Sequence, residues 1–141
     1  MKKKTLVRLA VLVPFLASFA VVACGDDDDD GSAADALGVG ASCDSNDDCL
    51  NYPEQGIVQE CLTQFKGGYC GLEGCIDNSD CPGGSACVTH DDLRNYCFLI
   101  CTDKAQCNRN RTAGAEANCS SSVDFVDGQN GWKACVPPSG G

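Results

Sequence analysis

Cysteine is the residue type in this chain that offers the most chemistry. A thiol can form a disulfide, ligate a metal, attack a substrate or accept a lipid. The 141 residues include 13 cysteines. The first, Cys24, stands between an apolar run and the five consecutive aspartates Asp26 to Asp30, and the others lie between Cys43 and Cys135. An odd number in an exported protein leaves one cysteine unpaired, so Cys24 is expected to differ in role from the other 12.

The residues before Cys24 have the pattern of an export signal. "MKKKT" and Arg8 supply positive charge, and Leu9 to Ala23 form an uncharged apolar run of 15 residues. A membrane-spanning helix needs about 20 apolar residues, and Pro14 interrupts this one. We therefore expect residues 1–23 to be a cleaved signal peptide, with a permanent anchor helix as the alternative.

The end of this segment suggests a covalent modification. Val21-Val22-Ala23-Cys24 resembles the lipobox of bacterial lipoproteins: two aliphatic positions, a small residue and a cysteine. The resemblance implies lipidation of Cys24, with cleavage just before it and acylation of the new amino group. Two or three acyl chains hold a protein stably on a bilayer. The alternative for Cys24 is a disulfide or a free thiol.

The following segment, residues 24–40, has the composition of a tether. Adjacent carboxylates repel one another and cannot bury apolar surface, so we expect a disordered, lipid-anchored acidic stalk. A sorting or surface-export signal in Asp26 to Asp30 is the alternative. Asp26-x-Asp28-x-Asp30-Gly31 also copies the first half of an EF-hand calcium loop, but position 12 of that loop is Leu37 rather than glutamate.

The remaining 12 cysteines form three groups of four, and each group opens with the same five-residue gap. The openings read "CDSNDDC", "CIDNSDC" and "CTDKAQC". This repetition indicates three tandem modules, which we place at residues 41–72, 73–98 and 99–138, followed by a tail at 139–141. The groups are Cys43, Cys49, Cys61 and Cys70; Cys75, Cys81, Cys87 and Cys97; and Cys101, Cys107, Cys119 and Cys135.

Modules of this length need covalent support, because chains below about 40 residues rarely bury enough surface to fold unaided. Two disulfides per module, each contributing about 2–4 kcal/mol, would supply it. We predict a small disulfide-rich fold with short β-ribbons, irregular loops and little helix. Strands are expected in "SACVTH" and "NYCFLIC", turns at Lys66-Gly67-Gly68 and Pro82-Gly83-Gly84, and a single helical turn in "AEAN". Tyr69, Tyr96 and Trp132 are expected to pack against the bridges.

Four cysteines permit three pairings, and spacing alone does not select among them. The middle opening, "CIDNSDCPGGSAC", resembles cysteine-rich modules of the Dickkopf N-terminal type. The resemblance covers the middle module well and the first by its opening, whereas the third departs, with Gln106 before Cys107. It implies an extracellular module with first-to-third and second-to-fourth bridges, and no ligand. The implied pairs are Cys43–Cys61, Cys49–Cys70, Cys75–Cys87, Cys81–Cys97, Cys101–Cys119 and Cys107–Cys135.

Metal binding and catalysis find little support in these residues. Structural zinc sites use closely spaced cysteine pairs, and the chain contains no C-x2-C. The single histidine, His90, lies in "HDDLRN", which has the composition of a solvated loop. Nucleophilic catalysis needs a base beside the nucleophile, and the sequence contains a single histidine that could act as that base. We expect no enzyme activity and no cofactor other than the lipid on Cys24.

Charge limits the partners. Without the signal peptide the chain carries 20 acidic and 6 basic residues, a net charge of −14, which excludes nucleic acid as a ligand. The sequence favours a lipid-anchored cell-envelope protein, at the outer membrane or exposed on the cell surface, that binds an unknown protein or glycan. The alternatives are a protease inhibitor that presents Arg109 or Arg111 in a stapled loop, and a purely structural envelope component. The oligomeric state stays open.

Overall fold

The chain is described here by a computed structural model of residues 32–140, which include the 12 cysteines of the three groups. Every group contains two disulfides that join its first cysteine to its third and its second to its fourth. The six bridges are Cys43–Cys61, Cys49–Cys70, Cys75–Cys87, Cys81–Cys97, Cys101–Cys119 and Cys107–Cys135. This pattern is the one that the Dickkopf resemblance implies. Disulfides persist in oxidising compartments, so the bridges indicate an exported or extracellular environment.

Secondary structure between the bridges is short, and the predicted disulfide-rich fold is confirmed. The strands are β1 (Glu60–Cys61), β2 (Cys70–Gly71), β3 (Ser85–Thr89), β4 (Asn95–Leu99), β5 (Asn118–Ser120), β6 (Asp124–Phe125) and β7 (Ala134–Val136). The helices are α1 (Ala33–Ala36) and α2 (Lys104–Cys107), and 3-10 turns cover Asn46–Asp48, Pro53–Gln55 and Asn78–Asp80. The helical turn expected in "AEAN" does not form. Ala115 and Ala117 are buried there, but the backbone that carries them is irregular.

The five-residue opening of each group folds by one hydrogen-bonding scheme. The residue before the second cysteine turns its side chain back onto the amides that follow the first cysteine. Asp48 accepts from the Asp44 amide at 2.9 Å, and Asp80 accepts from the Ile76 amide at 2.7 Å. Gln106 does the same with its carbonyl oxygen, so the third opening keeps the geometry although its residue type departs. These caps satisfy donors that a single helical turn leaves unpaired.

The second half of each group is a two-stranded antiparallel ribbon. The third and fourth cysteines face each other across it, as Cys61 and Cys70, Cys87 and Cys97, and Cys119 and Cys135. Because the first and second cysteines belong to the opening loop, the two bridges fasten that loop onto the ribbon. The repeat in the sequence thus corresponds to one loop-on-ribbon unit, formed three times.

The three tandem units share one core. Phe65 of the first unit meets Tyr69, Tyr96 and Phe98 edge-on, with ring centroids 5.1–6.0 Å apart. The same apolar cluster includes buried residues of the third unit, such as Ala134. Tyr69 and Tyr96 thus lie in a central aromatic cluster, which also includes the bridge cysteines Cys101, Cys107 and Cys135. The third aromatic, Trp132, lies against Phe125 at the surface.

Two further contacts cross the expected module boundaries. Strand β6 of the third unit adds to the second unit's hairpin, and Val88 pairs with Phe125 in a sheet of order β4-β3-β6. At the other end, Ser139 pairs with Phe65, and the Gly140 amide donates to the Gln64 carbonyl at 2.7 Å. Residues 139–140 are thus attached to the first unit and are not a free tail.

The last part of the predicted tether is folded. Ser32 caps α1 through the Asp35 amide, and Ala34, Leu37 and Val39 are buried in the shared core. Three apolar side chains within six residues give this part of the segment surface to bury, which the adjacent carboxylates at Asp26 to Asp30 do not offer. The correction covers residues 32–40, while Cys24 and Asp26 to Asp30 lie outside the described residues.

Candidate binding site at the second hairpin

The clearest candidate site is the tip of the β3–β4 hairpin, residues 90–94. The hairpin is fixed at its base because each strand carries a disulfide, through Cys87 on β3 and Cys97 on β4. At the tip, the His90 amide donates to the Arg94 carbonyl at 2.9 Å, and the Leu93 amide donates to the His90 carbonyl at 2.8 Å. The hairpin tip is therefore an ordered turn on a rigid support.

Leu93 is the unusual residue of this turn. Its φ is +64°, and within residues 32–140 it is the one residue other than glycine with a positive φ. That conformation costs a residue with a Cβ about 1–2 kcal/mol. Its side chain is also 85% exposed, and the nearby Ile76 is 77% exposed. The fold accepts both backbone strain and exposed apolar surface at this point, and such a combination is found at binding sites.

Asp92 holds the turn in place. Its carboxylate accepts from Tyr96 Oη at 2.6 Å and from the Arg94 amide at 3.1 Å, while Arg94 pairs with Glu73 at 2.7 Å. Desolvation opposes ionisation of Asp92, but these hydrogen bonds and the nearby His90 and Arg94 outweigh it and lower its pKa. The pKa of Tyr96 is raised to about 12, mainly by desolvation and next by its hydrogen bond to Asp92. The pair is thus a carboxylate and a neutral phenol at neutral pH.

A cleft of about 360 Å³ opens beside the tip, and we call it the acidic cleft. Its apolar lining consists of the buried Val88 and Phe98, the partly buried Val123 and Val136, and Leu93. Two exposed carboxylates, Asp91 and Asp124, and hydroxyl groups complete its lining. Leu93 lines this cleft and also a second, shallower depression that contains Ile76 and Glu73.

His90 lines the acidic cleft, and the expectation of a solvated histidine is wrong. Its side chain is only 9% exposed and stands edge-on to Phe65, Tyr96 and Phe98. Nδ1 is buried without a hydrogen-bond partner among the described residues. The nearest carboxylate oxygen, on Asp92, is 3.6 Å away, which is beyond hydrogen-bond distance. The ring packs as part of the aromatic cluster, because its apolar neighbours surround it.

Arg111 does not form the exposed bait that the inhibitor hypothesis requires. Its guanidinium donates to four backbone carbonyls at 2.6–3.0 Å, those of Ala115, Gly40, Gly68 and Lys66. It also lies 5.7 Å from the centre of the Tyr69 ring. Burial lowers its pKa, an effect that Tyr69 partly opposes. Arg109 is exposed and lies 3.5 Å from Asp35 of the N-terminal segment. The bonds of Arg111 to Gly68 and Lys66 join this loop to the first unit.

The cysteine sulfurs come close enough together to be considered as metal ligands. In each unit three of them lie within 4.8 Å of one another, as in Cys43, Cys49 and Cys70. All these sulfurs belong to disulfides, however, and the ligand of structural zinc is a thiolate. The sulfur clusters are the consequence of two adjacent bridges in each unit. No cation site follows from them in the oxidised chain.

Comparison with known proteins finds no family model, no curated protein and no solved structure that matches this chain. Within residues 32–140, no helix has the length and apolar character needed to cross a bilayer. Functional inference therefore depends on the geometry of the hairpin tip and on the sequence that precedes the folded body.

Proposed function

We propose that this chain is a lipid-anchored protein of the bacterial cell envelope whose cysteine-rich body binds a protein partner through the hairpin tip. The observation that carries the binding role is Leu93, an exposed aliphatic side chain held in a strained conformation on a disulfide-braced turn. A rigid apolar anchor loses little conformational entropy on binding. Such an anchor, with Ile76 beside it, suits an interface centre surrounded by polar groups.

An aliphatic anchor favours a protein partner over a glycan. Leu93 and Ile76 offer area for apolar burial and no hydrogen-bonding group, whereas a glycan presents mainly hydroxyls. Burying both side chains would contribute about 1.5–3 kcal/mol each. The ion pair of Arg94 with Glu73 lines the same shallow depression and would belong to the polar rim.

The anchoring part of the proposal is supported by the sequence at Cys24. A basic segment, an apolar run of 15 residues and Val21-Val22-Ala23-Cys24 precede the acidic stretch. Intact-mass measurement of the protein extracted from membranes tests it. We expect loss of residues 1–23, added acyl mass and six disulfides. A retained N-terminus, or an unmodified Cys24 in the mature protein, would exclude the anchor.

Site-specific photo-crosslinking in the producing cells tests the binding role. A photo-reactive residue at Ile76 should give a discrete adduct with one envelope protein, and Leu93→Asn in the same chain should reduce its yield about tenfold, the effect expected for loss of an interface anchor. The matched control places the photo-reactive residue at Leu50 instead. Leu50 is also an exposed apolar residue, but it belongs to the first unit. An equal adduct from Leu50, or a yield that Leu93→Asn leaves unchanged, would refute the role of the tip.

A further inference from the structure

We infer that the acidic cleft receives a lysine or arginine side chain of the partner protein, an inference that rests on the proposed binding function. The cleft has two chemically distinct parts. Val88, Phe98, Val123 and Val136 give it apolar surface that is buried or partly buried, and the exposed carboxylates of Asp91 and Asp124, together with hydroxyl groups, give it polar surface. Long basic side chains have the same division, with an apolar stem and a charged head. The volume of about 360 Å³ is open to solvent on one side and admits such a side chain.

The charge of the cleft is not neutralised from within the described chain. Asp91 and Asp124 have neither a hydrogen bond to their carboxylates nor an ion pair among residues 32–140. The cleft is lined by no lysine or arginine, and His90, which does line it, is buried among aromatic rings. The described residues include 15 acidic and only 6 basic side chains. Four of the basic side chains already have partners. Arg94, Lys104 and Arg109 form ion pairs, and Arg111 donates to backbone carbonyls. A cationic group from outside therefore meets two unpaired carboxylates.

Other ligand classes fit the cleft less well. An anion would face the carboxylates of Asp91 and Asp124. A metal ion would need several ligand atoms close together, and within residues 32–140 the groups of three or more side chains that come that close are all composed of disulfide cysteines. A purely apolar ligand would leave both carboxylates and the Ser122 hydroxyl without partners, at a cost in desolvation. An amphipathic cation satisfies both parts.

The cleft is continuous with the proposed anchor, because Leu93 lines it. A single partner segment can therefore cover Leu93 with an apolar residue and place a basic side chain between Asp91 and Asp124. The buried His90 ring packs edge-on to Tyr96, and the Tyr96 hydroxyl donates to Asp92 at 2.6 Å. These contacts hold the hairpin tip in place beside the cleft. This arrangement specifies a partner motif in which an apolar residue and a lysine or arginine lie close together on one surface.

The test is an NMR titration of the oxidised full-length chain in detergent micelles at physiological ionic strength. The probe is N-acetyl-lysine methylamide, and the control ligand is N-acetyl-norleucine methylamide, which has the same stem without the charge. We expect saturable shifts at Asp91, Val123 and Asp124 with the lysine compound alone. D91N/D124N should weaken its binding about tenfold, which corresponds to two partly exposed charge-assisted contacts. Asp47→Asn, an exposed residue of the first unit, should leave the affinity unchanged.

Three results would overturn the inference. One is equal binding of the norleucine compound, which would make the cleft merely apolar. Another is an affinity that D91N/D124N does not change. The third is a set of shifts spread over all the acidic residues, which would indicate non-specific attraction. None of these results affects the adduct expected at Ile76, so failure of this inference is distinguishable from failure of the proposed binding function.

Discussion

At the scale of single residues, Arg111 connects parts of the fold that are distant in sequence. Its guanidinium donates to carbonyls from the end of the N-terminal segment, from the first unit and from its own loop. A planar group with five donors can satisfy several acceptors in one plane, and an ammonium cannot copy that geometry. The residue thus has a structural role that a surface arginine in a loop does not suggest.

Replacement of Arg111 by lysine should therefore destabilise the protein although the charge is kept. We expect Arg111→Lys to lower the free energy of unfolding by about 2 kcal/mol, because at least two buried carbonyls lose their donor. Denaturant unfolding with the disulfides intact measures it. Arg109→Lys, on an exposed side chain, is the control and should stay within about 0.5 kcal/mol of the wild type. Equal effects of the two substitutions would contradict this role.

The sequence did not predict the site residues individually, and the reasons are physical. "HDDLRN" contains no glycine to mark a positive φ, so the strain at Leu93 could not be expected from residue preferences. His90 was expected in solvent because its neighbours Asp91 and Asp92 are charged, but it is covered by Phe65, which lies 25 positions earlier in the chain. Contacts of that range are set by tertiary packing. The grouping of the cysteines into three units, by contrast, could be predicted because their spacing repeats along the sequence.

At the scale of elements, the segment from Ser32 to Gly40 is the main departure from expectation. Leu37 is buried in the shared core, and the Gln59 side chain donates to its carbonyl at 2.8 Å. The Ala34 amide donates to the Gly83 carbonyl at 2.8 Å. The segment thus contacts both the first and the second unit and belongs to the folded body.

Leu37→Ala tests whether this segment contributes to stability. Removing a buried leucine side chain leaves a cavity and should lower the free energy of unfolding by about 2–4 kcal/mol. The matched control is Leu93→Ala, the same substitution at an exposed leucine, for which we expect a change below about 0.5 kcal/mol. If Leu37→Ala unfolds at the wild-type denaturant concentration, the segment is not docked in solution.

The elements that the sequence did predict are those with a local signal. "SACVTH" and "NYCFLIC" contain β3 and β4, since β-branched and aromatic residues there alternate with the cysteines. Pro82-Gly83-Gly84 and Lys66-Gly67-Gly68 form turns, in which Gly67 and Gly84 adopt a positive φ. Strand β6 was missed because it has two residues and exists only by pairing with β3. The same holds for the contact between Phe65 and Ser139.

At the scale of the whole molecule, the three units depend on one another. The aromatic cluster draws Phe65 from the first unit and Tyr96 and Phe98 from the second, and Ala134 adds the third. No unit has an apolar cluster of its own beyond its bridges and one or two side chains, as in the group formed by Cys43, Cys49, Cys61 and Cys70 with Ala41. Cooperative unfolding is therefore expected, as for other single domains of this size.

Removal of one bridge from the third unit tests this cooperativity. C101A/C119A should lower the free energy of unfolding by about 2–4 kcal/mol. Hydrogen exchange should then speed up at core amides of all three units, including the Cys97 amide of β4, because they open together. The variant C43A/C61A, at the equivalent bridge of the first unit, should give the same pattern. Wild-type exchange in the second unit of either variant would show that the units open independently.

The docked segment has a consequence for how far the body can stand from a lipid bilayer. If Cys24 carries acyl chains as proposed, only eight peptide steps separate it from Ser32, the first residue that the structure describes. Even a fully extended backbone advances about 3.3–3.6 Å per step, so the separation cannot exceed roughly 30 Å. Ser32 packs against Gly84, so under this proposal the Pro82-Gly83-Gly84 turn would lie within about the same distance of the bilayer. A partner in the same leaflet would thus lie within reach, whereas one on an opposing membrane would have to approach closely.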